Sequence, residues 1–457
     1  HAHIGHARAA VIFDVICRYL KYRGYQVTYV RNFTDVDDKI INRAINEETS
    51  CEEIAGRYIK EYTDDMNALG VETPTHEPLA TEHIRDIIET VKTLIERGYA
   101  YELAGDVYFE VKKFSEYGKL SKKNTDEQLA GARVEIDERK KDPRDFALWK
   151  KSKPNEPSWL SPWGEGRPGW HIECSVMSQK YLGETIDIHG GGRDLIFPHH
   201  ENEIAQAEAA TGKPFVRYWI HNGFININHE KMSKSLGNIF NIKDILKEYH
   251  PEVVRLFLLS HHYRSPVDFS PETMKEAEVG IERIYTTLGE IDSIVGDKNY
   301  PAVEEDRLNE ADREIYDEVK NLSQRFDEAM NEDFNTALSI GHIYNTVRNL
   351  NRYFSSREFA ATDQVCAIIA EAKTIFSRIG KVLGLFQVPS VEYLKMVKNK
   401  KLTQLDITVD EIEILVEERN QARKGKKWDR ADQIRETLLK KNIILKDGWE
   451  KTTWKIK

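Results

Sequence analysis

Cysteine is scarce, with four in 457 residues (Cys17, Cys51, Cys174 and Cys366). They are too few and too scattered for a disulfide framework, so a reducing, cytoplasmic setting is expected. No run of about 18 uninterrupted apolar residues occurs, which excludes a membrane-spanning helix. Internal repeats and low-complexity tracts are absent too. Nor is there an excess of positive charge: 66 Lys and Arg face 76 Asp and Glu, a net charge of -10. Taken as a sum, that acidity argues against a nucleic-acid partner, although a sum can hide a basic patch. The chain opens on His1, not Met, and runs at once into a helical pattern. No signal peptide is visible, and further N-terminal residues are expected upstream.

What is present reads as two to four domains at ordinary domain size. Apolar residues at helical spacing predict a helix over 7–23, stopped by Gly24, then a strand over 25–30. Helical patterns return at 52–69 and 81–97, the rhythm of a parallel α/β unit. We therefore read 1–99 as the first part of a Rossmann-like catalytic domain whose first strand is expected upstream of His1. Residues 100–168 form a connective insertion with short strands near 107–111 and 146–149. A second catalytic part covers 169–228, and a loop-bearing region 229–270. Residues 271–385 are helical, a bundle. Weak periodicity over 386–410, with Pro389 and a short lysine run, leads to a small last domain at 391–457.

Two segments carry phosphate chemistry. His3-Ile4-Gly5-His6 immediately precedes a helix, whose N-terminus offers unpaired N–H groups and a partial positive charge. Gly5 lets a planar base approach the backbone. Lys231-Met232-Ser233-Lys234-Ser235 follows a strand, and its lysines and hydroxyls suit a triphosphate and its pyrophosphate leaving group. Alone, each could be an exposed histidine pair or a solvated loop. In this order and context they resemble the two signatures of class I aminoacyl-tRNA synthetases. The resemblance assigns ATP binding to His3, Gly5, His6, Lys231, Ser233 and Lys234. It gives His3, His6, Lys231 and Lys234 the stabilisation of phosphate charge, with Mg²⁺ accompanying the ATP.

A third constellation comprises Cys174, then His189-Gly190-Gly191-Gly192-Arg193-Asp194, then Pro198-His199-His200-Glu201-Asn202-Glu203. Pro198 suits a first helical turn, so His199 and Glu203 fall on one face. With Cys174 they make three corners of a tetrahedral zinc shell; the alternatives are a buried thiol and a surface hydrogen-bonding pair. These segments, with the end of the chain, resemble the cysteinyl-tRNA synthetase family, most densely over 1–40, 143–240 and 414–457. The resemblance implies one Zn²⁺ on Cys174, His199 and Glu203, with a fourth ligand, a cysteine, upstream of His1. It places Thr34, Trp170, His189 and Asp194 around the substrate cysteine. Core packing for Trp170 and turn capping for Thr34 and Asp194 are their alternatives. A thiophilic metal also answers a selection problem. Serine differs from cysteine by one atom, which a simple pocket discriminates weakly, whereas zinc prefers thiolate to hydroxyl. Of Asp35, Asp37 and Asp38, one reads as a helix N-cap and the others as favourable to the helix dipole, and none is assigned a metal.

Local charge changes the nucleic-acid reading. Residues 391–457 hold 17 Lys and Arg against 12 Asp and Glu, so they carry +5 while the rest carries -15. Basic residues interleaved with an aromatic suit phosphate contact plus base stacking, though a solvated charged face is the alternative. The family resemblance assigns anticodon reading to Arg423, Trp428, Asp432 and Asp447. It implies a monomer that joins L-cysteine to tRNA(Cys) through a cysteinyl-adenylate, without a membrane partner. The alternatives are a ligase that passes cysteine to an amino sugar, which residues 414–457 disfavour, and a non-catalytic tRNA-binding protein.

Overall fold

The computed structural model describes residues 1–124, 127, 139–227, 230–231, 240–403, 405, 407–447 and 452–456. They form two compact units. The first comprises 1–278, 324–342 and 381–385, and the second 279–323, 343–380 and 386–457.

The first unit opens on α1 (Ile4–Tyr22), which begins three residues before the predicted start. Its cap explains the difference. His3 Nδ1 accepts the Gly5 N–H at 3.1 Å, and His6 Nδ1 accepts the His3 N–H at 3.2 Å, a reciprocal capping box built from imidazoles. Ile12 and Ile16 bury against Ile220 and Tyr263. The strand predicted over 25–30 is not continuous. Its extended backbone makes two single parallel bridges, Val30 to His76 and Phe33 to Leu79. The Tyr29 N–H goes to the Thr75 hydroxyl at 3.0 Å, and Pro78 has no N–H to donate, so the ladder is interrupted.

Helices α2 (Asp38–Asn46), α3 (Cys51–Ala68) and α4 (Ile84–Glu96) follow. Asp37 caps α2 by accepting the Ile40 N–H at 2.7 Å, and Asp35 accepts the Thr81 N–H at 3.0 Å. Asp37 is therefore the N-cap, whereas Asp35 ties this segment to Thr81. The insertion is an antiparallel sheet of β1 (Ala100–Leu103), β2 (Asp106–Phe109), β3 (Phe146–Lys151), β4 (Trp159–Ser161) and β5 (Gly164–Pro168), in the order β1-β2-β3-β5-β4. It shares one core with α4, through Ile87, Val91 and Leu94 against Val107, Phe109, Leu148 and Trp149.

The chain then returns to parallel α/β structure. Helix α5 (Trp170–Leu182) leads to β6 (Ile186–Gly192), α6 (Glu201–Thr211) and β7 (Val216–Asn222), and β6 pairs parallel with β7. Gly190 permits this packing, since a Cβ there would lie 2.1 Å from the Ile220 carbonyl oxygen and 2.6 Å from Phe13 Cζ. Strand β8 (Ile225–Ile227) pairs antiparallel with β9 (Glu230–Lys231). After α7 (Ile242–Glu248) and α8 (Pro251–Leu259), β10 (Val267–Phe269) pairs parallel with β8. Arg255 of α8 and Asp14 of α1 form a buried ion pair, Nη2 to Oδ2 at 2.7 Å.

The predicted bundle is four long helices, α9 (Pro271–Val295), α10 (Glu310–Asn331), α11 (Thr336–Phe354) and α12 (Asp363–Leu383), whose residues are divided between the two units. The second unit ends with α13 (Ser390–Thr403), α14 (Val409–Lys424), α15 (Trp428–Lys440) and the antiparallel pair β11 (Ile443–Asp447) and β12 (Thr452–Ile456). Ile407, Ile412, Val416, Ile434, Leu438 and Ile443 make its small core. Among the described residues, no helix is long and apolar enough to cross a membrane.

Candidate functional site

The N-terminus of α1 meets residues 240–242 at the backbone. His3 bridges Asn241 in antiparallel fashion. The Ile4 N–H donates to the Phe240 carbonyl at 3.1 Å, and the Ile242 N–H donates to the Ala2 carbonyl at 3.1 Å. Phe240, Asn241 and Ile242 are thereby stitched to the N-terminus of α1. Because both His3 Nδ1 and His6 Nδ1 accept backbone N–H groups, the proton of each neutral ring resides on Nε2. The ring centroids lie 3.8 Å apart. Strand β9 sets Lys231 in register with Asn226. Ser233 and Lys234 lie outside the described residues.

Arg8, one turn into α1, fixes the neighbouring loops. Its Nη1 donates to the carbonyls of Gly223 at 3.0 Å and Phe224 at 2.8 Å, and its Nη2 donates to Tyr263 at 3.2 Å and to Ser265. Burial lowers this guanidinium to about 10. The side chain is wholly buried, and the sequence reading did not single it out.

The metal-ligand candidates converge. Cys174, His199 and Glu203 offer a thiol, an imidazole and a carboxylate whose ligand atoms all lie within 4.8 Å of one another. Cys174 comes from α5, His199 from the turn before α6, and Glu203 from the first turn of α6. Glu203 is completely buried, and among the described residues neither of its oxygens has an aligned hydrogen-bond partner. His199 Nε2 approaches Oε1 at 2.9 Å and His189 Nε2 approaches Oε2 at 3.2 Å as close ionic contacts. Burial would raise the Glu203 carboxyl, but the charges of His189 and His199 outweigh it and hold it well below the usual range. The Cys174 thiol is pushed well above its ordinary value by burial and by Glu203 and Glu173. A buried carboxylate in ionic contact with two imidazoles and beside a thiol, without an aligned donor among the described residues, fits a thiophilic cation. His189, His200 and Glu203 form a second such group, which shares Glu203 with the first.

The other selected residues surround this cluster in different ways. The Trp170 ring, 48% exposed, packs over His199 with centroids 4.2 Å apart. His189 contacts Glu203, so it belongs to the cluster as well as to the wall beside it. The Thr34 hydroxyl donates to buried Glu173 at 2.9 Å. Burial pushes that carboxyl well up, against the Thr34 hydrogen bond. Asp194 is exposed in the turn after β6.

Sequence reasoning passed over several partners. Asn32 Nδ2 lies 3.5 Å from Cys174 Sγ. His171 Nδ1 is 2.8 Å from His199 Nδ1, and His221 Nε2 is 2.8 Å from His200 Nδ1. Burial lowers His171 and His200 well below their ordinary value, and both are neutral. The spacing His171-x-x-Cys174 was a usable signal for the first; His221 had none.

In the second unit the structure brings Arg423 and Asp447 together, with Arg423 Nη1 3.0 Å from Asp447 Oδ2. Trp428 is 58% exposed at the start of α15, and Asp432 is exposed on the same helix.

Residues 1–279 match the family described as tRNA synthetases class I (C) catalytic domain, and residues 325–387 match the DALR domain. The chain is 56% identical to the cysteine–tRNA ligase of Geotalea uraniireducens, over 100% of this chain and 93% of that protein. It is 54% identical to the cysteine–tRNA ligase of Thermodesulfovibrio yellowstonii, over 100% of this chain and 92% of that one. Its fold resembles the Mycobacterium tuberculosis methionyl-tRNA synthetase bound by methionyl-adenylate, with a TM-score of 0.61, 15% identity, and coverage of 84% of this chain and 90% of that one. Matched along its full length to relatives named cysteine–tRNA ligase, the chain belongs to the cysteine–tRNA ligase family of class I tRNA synthetases.

Proposed function

We propose that this chain activates L-cysteine with ATP to a cysteinyl-adenylate and transfers the cysteinyl group to the terminal ribose of tRNA(Cys), with zinc selecting the substrate. The observation that carries the proposal is the convergence of Cys174, His199 and Glu203, whose ligand atoms all lie within 4.8 Å of one another. Those three residues would hold zinc with a cysteine from upstream of His1. When bound, the metal supplies a thiophilic Lewis acid that favours the thiolate of cysteine over the hydroxyl of serine. Thr34, Trp170, His189 and Asp194 would line the pocket for the cysteine side chain and its ammonium group.

Activation is a displacement at the α-phosphorus by the substrate carboxylate, and no protein nucleophile is needed. The N-terminus of α1 receives the phosphates, with His3 and His6 donating from Nε2. Lys231 and Lys234, with Ser233, neutralise charge on the departing pyrophosphate, which Mg²⁺ accompanies. Gly5 leaves room for the adenine. The anticodon of tRNA(Cys) meets Arg423, Trp428, Asp432 and Asp447. We take the protein to act as a monomer in the cytoplasm.

Two assays test this with the full-length protein. Cysteine-dependent ATP–pyrophosphate exchange, with serine inactive, supports it, and no exchange sinks it. Exchange without tRNA charging would instead favour transfer to an amino sugar.

A further inference from the structure

Asp447 is held from two sides that differ in burial. On one side Arg419 makes a bidentate pair, Nη1 to Oδ1 at 2.8 Å and Nη2 to Oδ2 at 2.9 Å. The Arg419 side chain is 6% exposed, and its Nε is buried without a hydrogen-bond partner among the described residues. On the other side is Arg423, with Nη1 3.0 Å from Oδ2 and a side chain 41% exposed. The buried Thr452 hydroxyl lies 3.0 Å from Oδ1. The hydrogen bond to Asp447 is the largest influence on Arg419, and the charge of Asp432 also reaches it. Arg419 and Arg423 therefore share Asp447, one from the buried side and one from the exposed side.

A carboxylate oxygen accepts about two strong hydrogen bonds. Oδ2 accepts from Arg419 and is in ionic contact with Arg423, while Oδ1 accepts from Arg419 and lies near the Thr452 hydroxyl, which also has Asn420 Oδ1 at 2.9 Å. For a base to offer its N–H to Oδ2, one of the two arginines must give way. Arg419 cannot leave at low cost, because a buried guanidinium without its carboxylate is strongly penalised. Arg423 can, because water and RNA are at hand to solvate it. Its release leaves an acceptor on Asp447 beside a donor on Arg423, the pairing that an unstacked base edge requires.

We propose that Arg419 is the positioning residue of this face: it holds the Asp447 carboxylate from the buried side, so that the ionic contact of Arg423 is the one exchanged for an RNA base edge. This rests on the reading that the face binds the anticodon. Arg419 itself touches no base, and it acts by keeping Asp447 charged and oriented before the RNA arrives.

The test uses the full-length protein with tRNA(Cys) transcripts that carry either the natural anticodon or single anticodon substitutions. In R419Q the ratio of kcat/KM between natural and substituted transcripts falls about tenfold, through KM for tRNA, while ATP–pyrophosphate exchange is unchanged. R419K, which keeps the charge without the fork, recovers part of the ratio. R419Q combined with D447N is no worse than D447N alone, because the two residues act as one unit. An equal loss on every transcript in R419Q and R419K, with the ratio intact, means a merely structural role and overturns the proposal. A normal ratio in R419Q while D447N loses it overturns the proposal alone. If D447N keeps the ratio, the anticodon reading of this face falls, and the role of Arg419 falls with it.

Discussion

Replacing Asp14 by Asn keeps the shape of the side chain and removes the charge that balances Arg255. The two side chains are each 1% exposed, and Nη2 to Oδ2 is 2.7 Å. Removing one partner of such a pair costs about 3–5 kcal/mol, because the remaining charge stays buried. Arg255 keeps other acceptors. It donates to the Leu383 carbonyl at 2.8 and 3.2 Å, to Leu69 at 3.2 Å and to Gly70 at 3.3 Å. Those carbonyls partly screen the guanidinium, so D14N should fall near about 3 kcal/mol, the low end of that range. R255M acts differently. Asp14 retains Arg18 at 3.0 Å and the Glu72 N–H at 2.9 Å, but the carbonyls of Leu69, Gly70 and Leu383 lose a donor, at about 1–3 kcal/mol for each one left unpaired. The double variant should cost less than the sum of the single ones by at least about 1 kcal/mol. Urea unfolding followed by the fluorescence of Trp149, Trp159, Trp163, Trp170 and Trp219 reads these differences in the first unit. If D14N unfolds within about 0.5 kcal/mol of the parent, the pair does not join α1 to α8 as described, and the reasoning fails.

Other outcomes follow from single contacts. Gly190→Ala places a Cβ 2.1 Å from the Ile220 carbonyl, so strand or helix must move. A loss of about 1–3 kcal/mol in thermal or urea unfolding is expected, and a neutral variant would contradict the packing. Glu203→Gln in the full-length protein should reduce bound zinc well below one per chain by elemental analysis, and normal metal content would remove Glu203 from the ligand set. Burial, aided by the charges of His189, Arg264 and Arg193, lowers His221 to about 4. Its neutral form is thus favoured in the fold, and the stability it contributes is complete above about pH 6.5 and is lost as pH falls toward 4. Imidazole NMR of the metal-free protein should find His221 neutral at pH 5.5, and a charged ring there would refute the assignment.

The helices were legible because their signals are local. Capping residues, a period near 3.6 and a terminal glycine bracket α1, α3 and α4 within a few residues. The strand at 25–30 was not legible as broken, because its continuity depends on residues 74–79, which are remote in sequence. The convergence of Cys174 and Glu203 could be suggested from motif order, whereas the approach of His221 to His200 could not. The small last domain declared its charge but not its pairing. Nothing in the spacing of Arg419, Arg423 and Asp447 says which arginine is buried.

Residue identity and short spacing thus fix the inventory: two segments whose histidines, lysines and hydroxyls suit phosphate, a thiol, an imidazole and a carboxylate of metal-binding type, and a basic end on an acidic body. These properties survive in the unfolded chain. The tertiary structure decided what each group can do. It set His3 against Asn241, buried Glu203 with no aligned donor, and gave Asp447 one buried arginine and one exposed one. Burial and distance govern hydrogen-bond supply, protonation and exchange, and both arise only when remote segments pack.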